Sequence, residues 1–455
     1  MSFESFSRSS VEGDRLLESP SEAADAEKGQ EGRPLADSIQ STWYNTVRLW
    51  AKKPRQNIPS LKVVHIKYVL VVFATLFAVL LLSSLGVGLP RNPWKPSQVV
   101  QWSKPEGFKI IGLVFFGRRA TVEILDCYLK KNLVSNGGYL DEVLFVSLKA
   151  TEEDDAWLDQ LLLSADEYQK VAAKGMGYRE VWNKTVERHH MYIKIDDDLV
   201  YLSDNAIPQL VYSKMKHPEA LDIAANVINA AHLGWMHYHI GAIHSYLPET
   251  EPSFSKIMND PSYGPSAWRA SALPTWNATG REENVTDYNR PPPYKGHRWL
   301  PLRENDTNIS KTPISDSEYD TFGPNWEKWT IAAQTHYSFL QNLEQDRLDR
   351  FYFVEGDGRE AIWNMAYGRM NINLLAIWGD DVRDNVPFST FDDEVELSRD
   401  LPLRLNRPLL VNTYVLAVHL SFKPQKHIYD TDLISRYRAY ANEMVCAADN
   451  QIRTE

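Results

Sequence analysis

From Lys109 to Phe116 the chain reads KIIGLVFF, a continuous apolar run of strand length that stops at Gly117-Arg118-Arg119. A run without polar alternation suits a strand covered on both faces. A helical pattern from Thr121 to Leu133 follows, then a second strand pattern, LDEVLFVSL, from Leu140 to Leu148. Helical spacing returns over Glu152 to Leu163 and Tyr178 to Arg188, and Met191 to Ile195 reads as a third strand. Strands alternating with helices predict an α/β domain with a mostly parallel central sheet. In such sheets ligands bind beyond the carboxyl ends of the strands, so the residues just after each strand are the first to inspect.

Residues 246 to 325 break the pattern. They hold eleven prolines and scattered aromatics (Trp268, Trp276, Tyr288, Tyr294, Trp299) with no sustained period, which predicts a long insertion of loop character. Helical and strand patterns resume at Trp326 and end in an amphipathic stretch from Leu433 to Ala447. No internal repeat is present.

One apolar stretch is of another kind. Tyr68 to Leu89 is 22 residues without a charge, long enough as a helix to cross a hydrocarbon core of about 30 Å. It begins too far along the chain for a signal peptide and is expected to stay as an anchor. Arg48, Lys52, Lys53, Arg55, Lys62 and Lys67 precede it with no acid after Ser38. By the positive-inside rule residues 1–67 are cytosolic and the rest is exported. The sequons at Asn183, Asn277, Asn284, Asn305 and Asn308 all follow the span. The expected order is therefore a cytosolic tail (1–67), disordered over 1–37 and then basic, an anchor (68–89), a proline-marked stem (90–106) and an exported domain (107–455).

Composition narrows the function. At 455 residues, 43% hydrophobic and 24% charged, the chain is globular in character. Its 49 Lys and Arg against 60 Asp and Glu, net −11, are the wrong balance for tracking nucleic acid. Two cysteines, Cys127 and Cys446, exclude a disulfide framework and a four-thiolate zinc site and leave one bridge open. Neither a GxxxxGK[ST] phosphate loop nor a GxSxG elbow occurs, which weighs against a P-loop kinase or ATPase and a serine hydrolase.

The richest chemistry lies in MYIKIDDDLVYL, Met191 to Leu202. A buried strand delivers three acids at its carboxyl end, with Asp196 and Asp198 on one face because side chains repeat every two residues. Two carboxylates so placed can hold a hard divalent cation, and that cation can bridge a diphosphate. This arrangement resembles the GT-A fold of nucleotide-sugar-dependent glycosyltransferases, whose Asp-x-Asp motif holds Mn²⁺ or Mg²⁺ against the donor diphosphate. The stretch FDDEVELSRDLPLRLNRPLLVNTYVLAVHLSF, Phe391 to Phe422, resembles a second segment of that fold, in which an acidic pair opens a helix and a later strand ends in a histidine.

The resemblance implies Asp196, Asp198 and His419 as metal ligands and Glu394 as the base that deprotonates the acceptor. Asp393 stays open as the base because the pair is Asp-Glu rather than Glu-Asp, and Asp380-Asp381 is a competing pair. An acid opening a helix should be kept ionised by the dipole. Arg118, Arg119, Asp197 and Asn226 are the candidates for holding the donor, since a guanidinium pairs with phosphate or stacks on a base. His232, His237, His239 and His244 match no zinc signature and read as structural. The implied function is transfer of a sugar from a nucleotide-sugar to a hydroxyl of a glycan, glycoprotein or glycolipid, with inversion. Golgi members of the group share the single-pass topology, and a complex with other glycosyltransferases is a further expectation. The rival is a catalytically silent module that binds a glycan or partner on the same fold.

Overall fold

The computed structural model describes residues 103–148, 150–249, 267–276, 291–292, 294–303 and 309–452. The tail, the 68–89 stretch, most of the stem and the sequons at Asn277, Asn284, Asn305 and Asn308 lie outside them. No helix among the described residues is long and apolar enough to cross a membrane.

The fold is mixed α/β. Its nine-stranded sheet is built from β1 (Ile110–Phe116), β2 (Glu142–Ser147), β3 (Tyr168–Ala172), β4 (Met191–Asp196), β5 (Leu199–Leu202), β6 (Asp222–Ile228), β9 (Ile362–Asn364), β10 (Leu374–Trp378) and β11 (Leu409–His419). A separate two-stranded sheet pairs β7 (Tyr246–Pro248) with β8 (Trp299–Pro301). The order is β3-β2-β1-β4-β10-β6-β11-β5, with β9 also on β11. Strands β1 to β4 are mutually parallel, as are β6 and β11. The expected parallel sheet is interrupted by β10, antiparallel to both β4 and β6. Every residue of β1 and β6 is buried, as continuous apolar strands require.

Helices α1 (Arg119–Asn132), α2 (Glu152–Leu162), α3 (Tyr178–Thr185), α4 (Ala206–Lys216), α5 (Ala231–His239), α6 (Trp329–Glu344) and α7 (Leu433–Met444) accompany the sheet. The Thr151 side chain caps α2 by accepting from Asp154 N–H, and Glu152 to Asp155 place four acids in its first turn, where the helix dipole favours them. Helix α6 is buried almost all round, from Trp329 through Leu340, and so forms a second core layer. It accounts for part of the 246–325 region, because Tyr246, Trp299 and Leu300 pack into that core rather than standing in an open loop. Cys127 in α1 is disulfide-bonded to Cys446, just beyond α7. Asn183 lies inside α3 with its side-chain oxygen buried.

Candidate functional site

The chain runs from β1 outward to β2 and β3, then returns to place β4 on the other side of β1. The point where strand order reverses in this way, beyond the carboxyl ends of the two strands, is where open α/β sheets place a ligand crevice. Phe115 pairs with Asp196 in the ladder, so Gly117 and Arg118 emerge beside the acidic triplet.

The contacts across this crevice are charged. Asp197 is buried, accepting from Gly117 N–H at 2.7 Å and from Arg118 Nε at 3.2 Å. The Arg118 fork also reaches Asp198 Oδ2 at 2.9 Å and Tyr429 Oη at 3.3 Å. Burial works against the Arg118 charge, but Asp198 and Asp197 outweigh it and raise the guanidinium. Burial, with Asp198 adding to it and Arg118 opposing, pushes the Asp197 carboxyl up. Burial acts the same way on Asp198, yet His419 and Arg118 prevail and hold it below the usual carboxylate range.

His419 comes from the far end of the sheet. Only Asp197 and Asp198 separate β4 from β5, and β5 runs antiparallel to β11, with Leu199 opposite His419 at a register shift. His419 Nε2 lies 3.1 Å from Asp198 Oδ2, and Leu420 N–H donates to the Asp198 carbonyl at 2.9 Å. The other ring nitrogen, Nδ1, is 3.3 Å from the Asn229 carbonyl, which can accept only from a protonated nitrogen and so fixes the ring. Burial disfavours the imidazolium, but Asp198 more than offsets this and raises the ring. Asn229, at φ 60°, steadies the same turn by donating Nδ2 to the carbonyls of His419 and Leu420. Left-handed backbone is tolerated by asparagine better than by most residues.

The three-ligand set expected from the sequence is not assembled. Asp196 Oδ1 takes the buried Lys194 ammonium and Oδ2 accepts from Asn373 Nδ2 at 2.8 Å. Among the described residues no group of three or more His, Cys, Asp or Glu is arranged around a metal position. What remains is a pair: Asp198, whose Oδ1 is buried without a hydrogen-bond partner, and the adjoining His419. An unused carboxylate oxygen beside an imidazole is a donor set that suits Mn²⁺ or Mg²⁺ as two protein ligands.

The second acidic segment sits close by electrostatically, since Lys194 is raised by Asp196, Asp393 and Glu394 together, against burial. Asp392 caps the turn Asp393–Val395, accepting from Glu394 N–H and Val395 N–H. A π-helical turn, Glu396–Asp400, and a final turn, Leu401–Leu405, complete the segment. Asp393 is buried and accepts from Trp182 Nε1 at 3.1 Å. Glu394 is held by Arg369 Nε at 2.9 Å and Asn371 Nδ2 at 3.2 Å, with its side chain 22% exposed. Burial raises both carboxyls, more than Lys194 lowers Asp393 or Arg369 lowers Glu394. Desolvation, rather than the helix dipole, sets the direction of both shifts.

Other candidates lie elsewhere. Arg119 turns back along α1 to Glu123, Nε to Oε1 2.6 Å, and lies over Trp157 rather than entering the crevice. Asn226 is fully buried, donating Nδ2 to the carbonyls of Phe351 and Thr413 while its oxygen meets His237 Nε2 at 2.8 Å. Its amide is thus fully engaged by core groups. The competing pair Asp380-Asp381 falls at the opposite edge of the sheet, because Trp378 of antiparallel β10 pairs with Met191, the first residue of β4. There Asp381 binds Arg407 and Asp380 binds Arg188. The histidines also separate: His237 is buried on Asn226, His239 bonds the Trp235 carbonyl and His244 meets Asn342.

Sequence reading missed Lys194, Asn373, Arg369, Asn371 and Trp182. Lys194 alone left a signal, as a lysine inside an apolar strand, two residues before Asp196 and on its face. Beyond β2 and β3, on the arginine side of the crevice, Ser147, Thr151, Asp155, Lys170 and Lys174 line a hollow of about 220 Å³.

No family model and no curated protein matches the sequence. Similar solved structures include 4-diphosphocytidyl-2C-methyl-D-erythritol synthase from Anaerococcus prevotii (15% identity, 28% of this chain and 56% of that one, TM-score 0.20). They include glucosyl-3-phosphoglycerate synthase from Mycobacterium tuberculosis with Mn²⁺, UDP-glucose and phosphoglyceric acid (15%, 28% and 50%, TM-score 0.22). A third is GalNAc-T7 with UDP, GalNAc and Mn²⁺ (11%, 73% and 48%, TM-score 0.33). The chain spans about half the length of these structures.

Proposed function

We propose that the chain is a metal-dependent glycosyltransferase that moves a sugar from a nucleotide-sugar to a hydroxyl of a glycan, glycoprotein or glycolipid. The observation that carries this reading is the pairing of Asp198 and His419 at the crevice, with one carboxylate oxygen left without a partner. Asp198 and His419 would hold Mn²⁺ or Mg²⁺. The ion supplies positive charge for the departing diphosphate when bound. Arg118, half exposed at the crevice, would face the donor side. Asp197 fixes the arginine, and Lys194 keeps Asp196 oriented while compensating the acids around it.

Glu394 is the better base of the pair, since its carboxylate reaches solvent whereas Asp393 is buried against Trp182. Burial raises its affinity for a proton, which suits a group that takes one from an acceptor hydroxyl as the new glycosidic bond forms. Attack opposite the leaving diphosphate would invert the anomeric centre. The disulfide Cys127–Cys446 favours an oxidising compartment, and with the 68–89 stretch and its basic flank supports a type II Golgi membrane protein whose domain is luminal.

The test is nucleotide release from UDP-, GDP- and CMP-sugars with Mn²⁺, by wild type, Asp198→Ala and His419→Ala. Release from one donor that disappears on chelation and in both variants is expected. A second reading draws on Arg118, whose salt bridges to Asp197 and Asp198 already compensate these acids without an ion. Under it the chain binds a nucleotide-sugar, glycan or partner glycosyltransferase without turnover, and saturable donor binding with no release would favour it.

A further inference from the structure

Two phenylalanines stand out of the surface: Phe391, 73% exposed, beside Asp392 in the chain, and Phe322, 55% exposed. Single exposed phenylalanines are ordinary. These differ because each ring is backed by a guanidinium, Arg179 lying 4.1 Å from the Phe391 centroid and Arg369 4.9 Å from that of Phe322. A cation over one face holds a ring in orientation and leaves the other face for a partner.

Arg369 does more than back a ring. The same guanidinium binds Glu394 Oε1 at 2.9 Å and Asp392 Oδ2 at 3.0 Å. The Phe322 ring and the Glu394 carboxylate are therefore both direct neighbours of one planar group, Arg369. Phe322 meets Trp326 edge to face at 5.2 Å between centroids, and the half-exposed Tyr319, three residues earlier, packs on Trp235 and His232. Among the described residues the acids near the ring are Asp320, whose Oδ1 accepts from Phe322 N–H, with Asp392 and Glu394, both held by Arg369.

We infer that Phe322, backed by Arg369, is the acceptor platform, and that the acceptor is a neutral saccharide. A pyranose laid with its apolar C–H face on the ring presents its edge hydroxyls to Glu394. Rings parted by charged groups suit a molecule that alternates apolar faces with hydroxyl edges, and they offer no continuous apolar surface for a lipid chain. The surrounding acids disfavour sialylated or phosphorylated sugars. This rests on the reading of Glu394 as the base of a transferase.

The experiment is saturation-transfer NMR on the full chain in detergent, without donor, using methyl β-galactoside, methyl α-mannoside, N-acetyllactosamine, its sialylated form and a serine-threonine peptide. At least one neutral sugar should receive saturation at its C–H protons, about tenfold more weakly in Phe322→Ala and fully in Phe322→Trp. Binding only of the peptide or the sialylated sugar, no sugar binding at all, or sugar binding unchanged in Phe322→Ala would each overturn it. A parallel wild-type titration with Mn²⁺ and nucleotide-sugars reads the donor side separately. Failure there with Phe322-dependent sugar binding intact removes the transferase reading and leaves a glycan platform.

Discussion

His419 Nε2 lies 3.1 Å from Asp198 Oδ2 because β11 ends where β5 begins, on antiparallel neighbours. Two donors from distant parts of the sequence are thereby fixed by backbone ladder rather than by flexible loops. Removing either one should abolish metal binding, not merely weaken turnover. Titration of Mn²⁺ followed by electron paramagnetic resonance should show free ion at all concentrations in Asp198→Ala and His419→Ala, and a bound fraction in wild type. A bound fraction in both variants would remove these residues from the metal site.

Lys194 carries a charge with its side chain 5% exposed, on Asp196. Breaking a buried pair by removing one partner costs roughly 3–5 kcal/mol. Lys194→Met should therefore lower the unfolding midpoint strongly, and Lys194→Met with Asp196→Asn should recover part of the loss. A double variant as unstable as the single one would mean that the ammonium serves Asp393 and Glu394 more than Asp196.

Glu394 has its proton affinity raised by burial and lowered by Arg369. A base works only when deprotonated, so kcat/KM should fall as pH drops through a value above the ordinary carboxylate one. Arg369→Ala should move that acidic limb to higher pH, and Glu394→Gln should cut transfer by about 10²–10⁴-fold while donor binding persists. An acidic limb that stays in place in Arg369→Ala would assign it to another group.

Three buried histidines set an acid limit. Burial lowers His237 to about 3, and His297 and His336 to about 4. The unfolded chain takes up these protons near pH 6.5. Between pH 6.5 and 4 the unfolded state thus binds more protons, so stability is full above 6.5 and declines as pH falls, by up to about 1.4 kcal/mol per pH unit for each group. Thermal unfolding should show a midpoint that falls from pH 6.5 to 5, while between pH 7 and 8 these three histidines add no slope and His419, raised by Asp198, adds stability that is lost as pH rises. The His237→Gln variant, which keeps a polar partner for Asn226, should reduce that slope.

The disulfide joins α1 to the end of α7 across 319 residues of sequence. Its removal typically costs about 2–5 kcal/mol in exported domains. Cys127→Ser with Cys446→Ser should lower the unfolding midpoint accordingly, and the native chain should run as one species with no titratable thiol.

Much of the frame was legible because it is local. The runs at Lys109 to Phe116 and Met191 to Ile195 became β1 and β4, and helices expected at 121–133, 152–163 and 178–188 occur at Arg119–Asn132, Glu152–Leu162 and Tyr178–Thr185. The third of these stops early because Val186 is already extended. Strand β10 went unforeseen, since the direction in which a strand pairs is decided by its neighbours rather than by its apolar residues. Arg119 and Asn226 were misplaced for a related reason: sequence puts them near a strand end or on a strand but not on a side of it, and Glu123 and His237 drew them away from the crevice.

What the sequence alone determined is what depends on near neighbours: strand and helix periods, the acidic triplet closing β4, the charge balance and the single pair of cysteines. Tertiary structure decided which groups those residues meet. It turned Asp196 to Lys194 and Asn373, gave Asp198 to His419, sent Asp380 and Asp381 to the far edge of the sheet and put Phe322 and Glu394 on the same guanidinium, Arg369. Period and charge are properties of a few adjacent residues, whereas a site forms only when strand order and direction bring distant ones within hydrogen-bond reach.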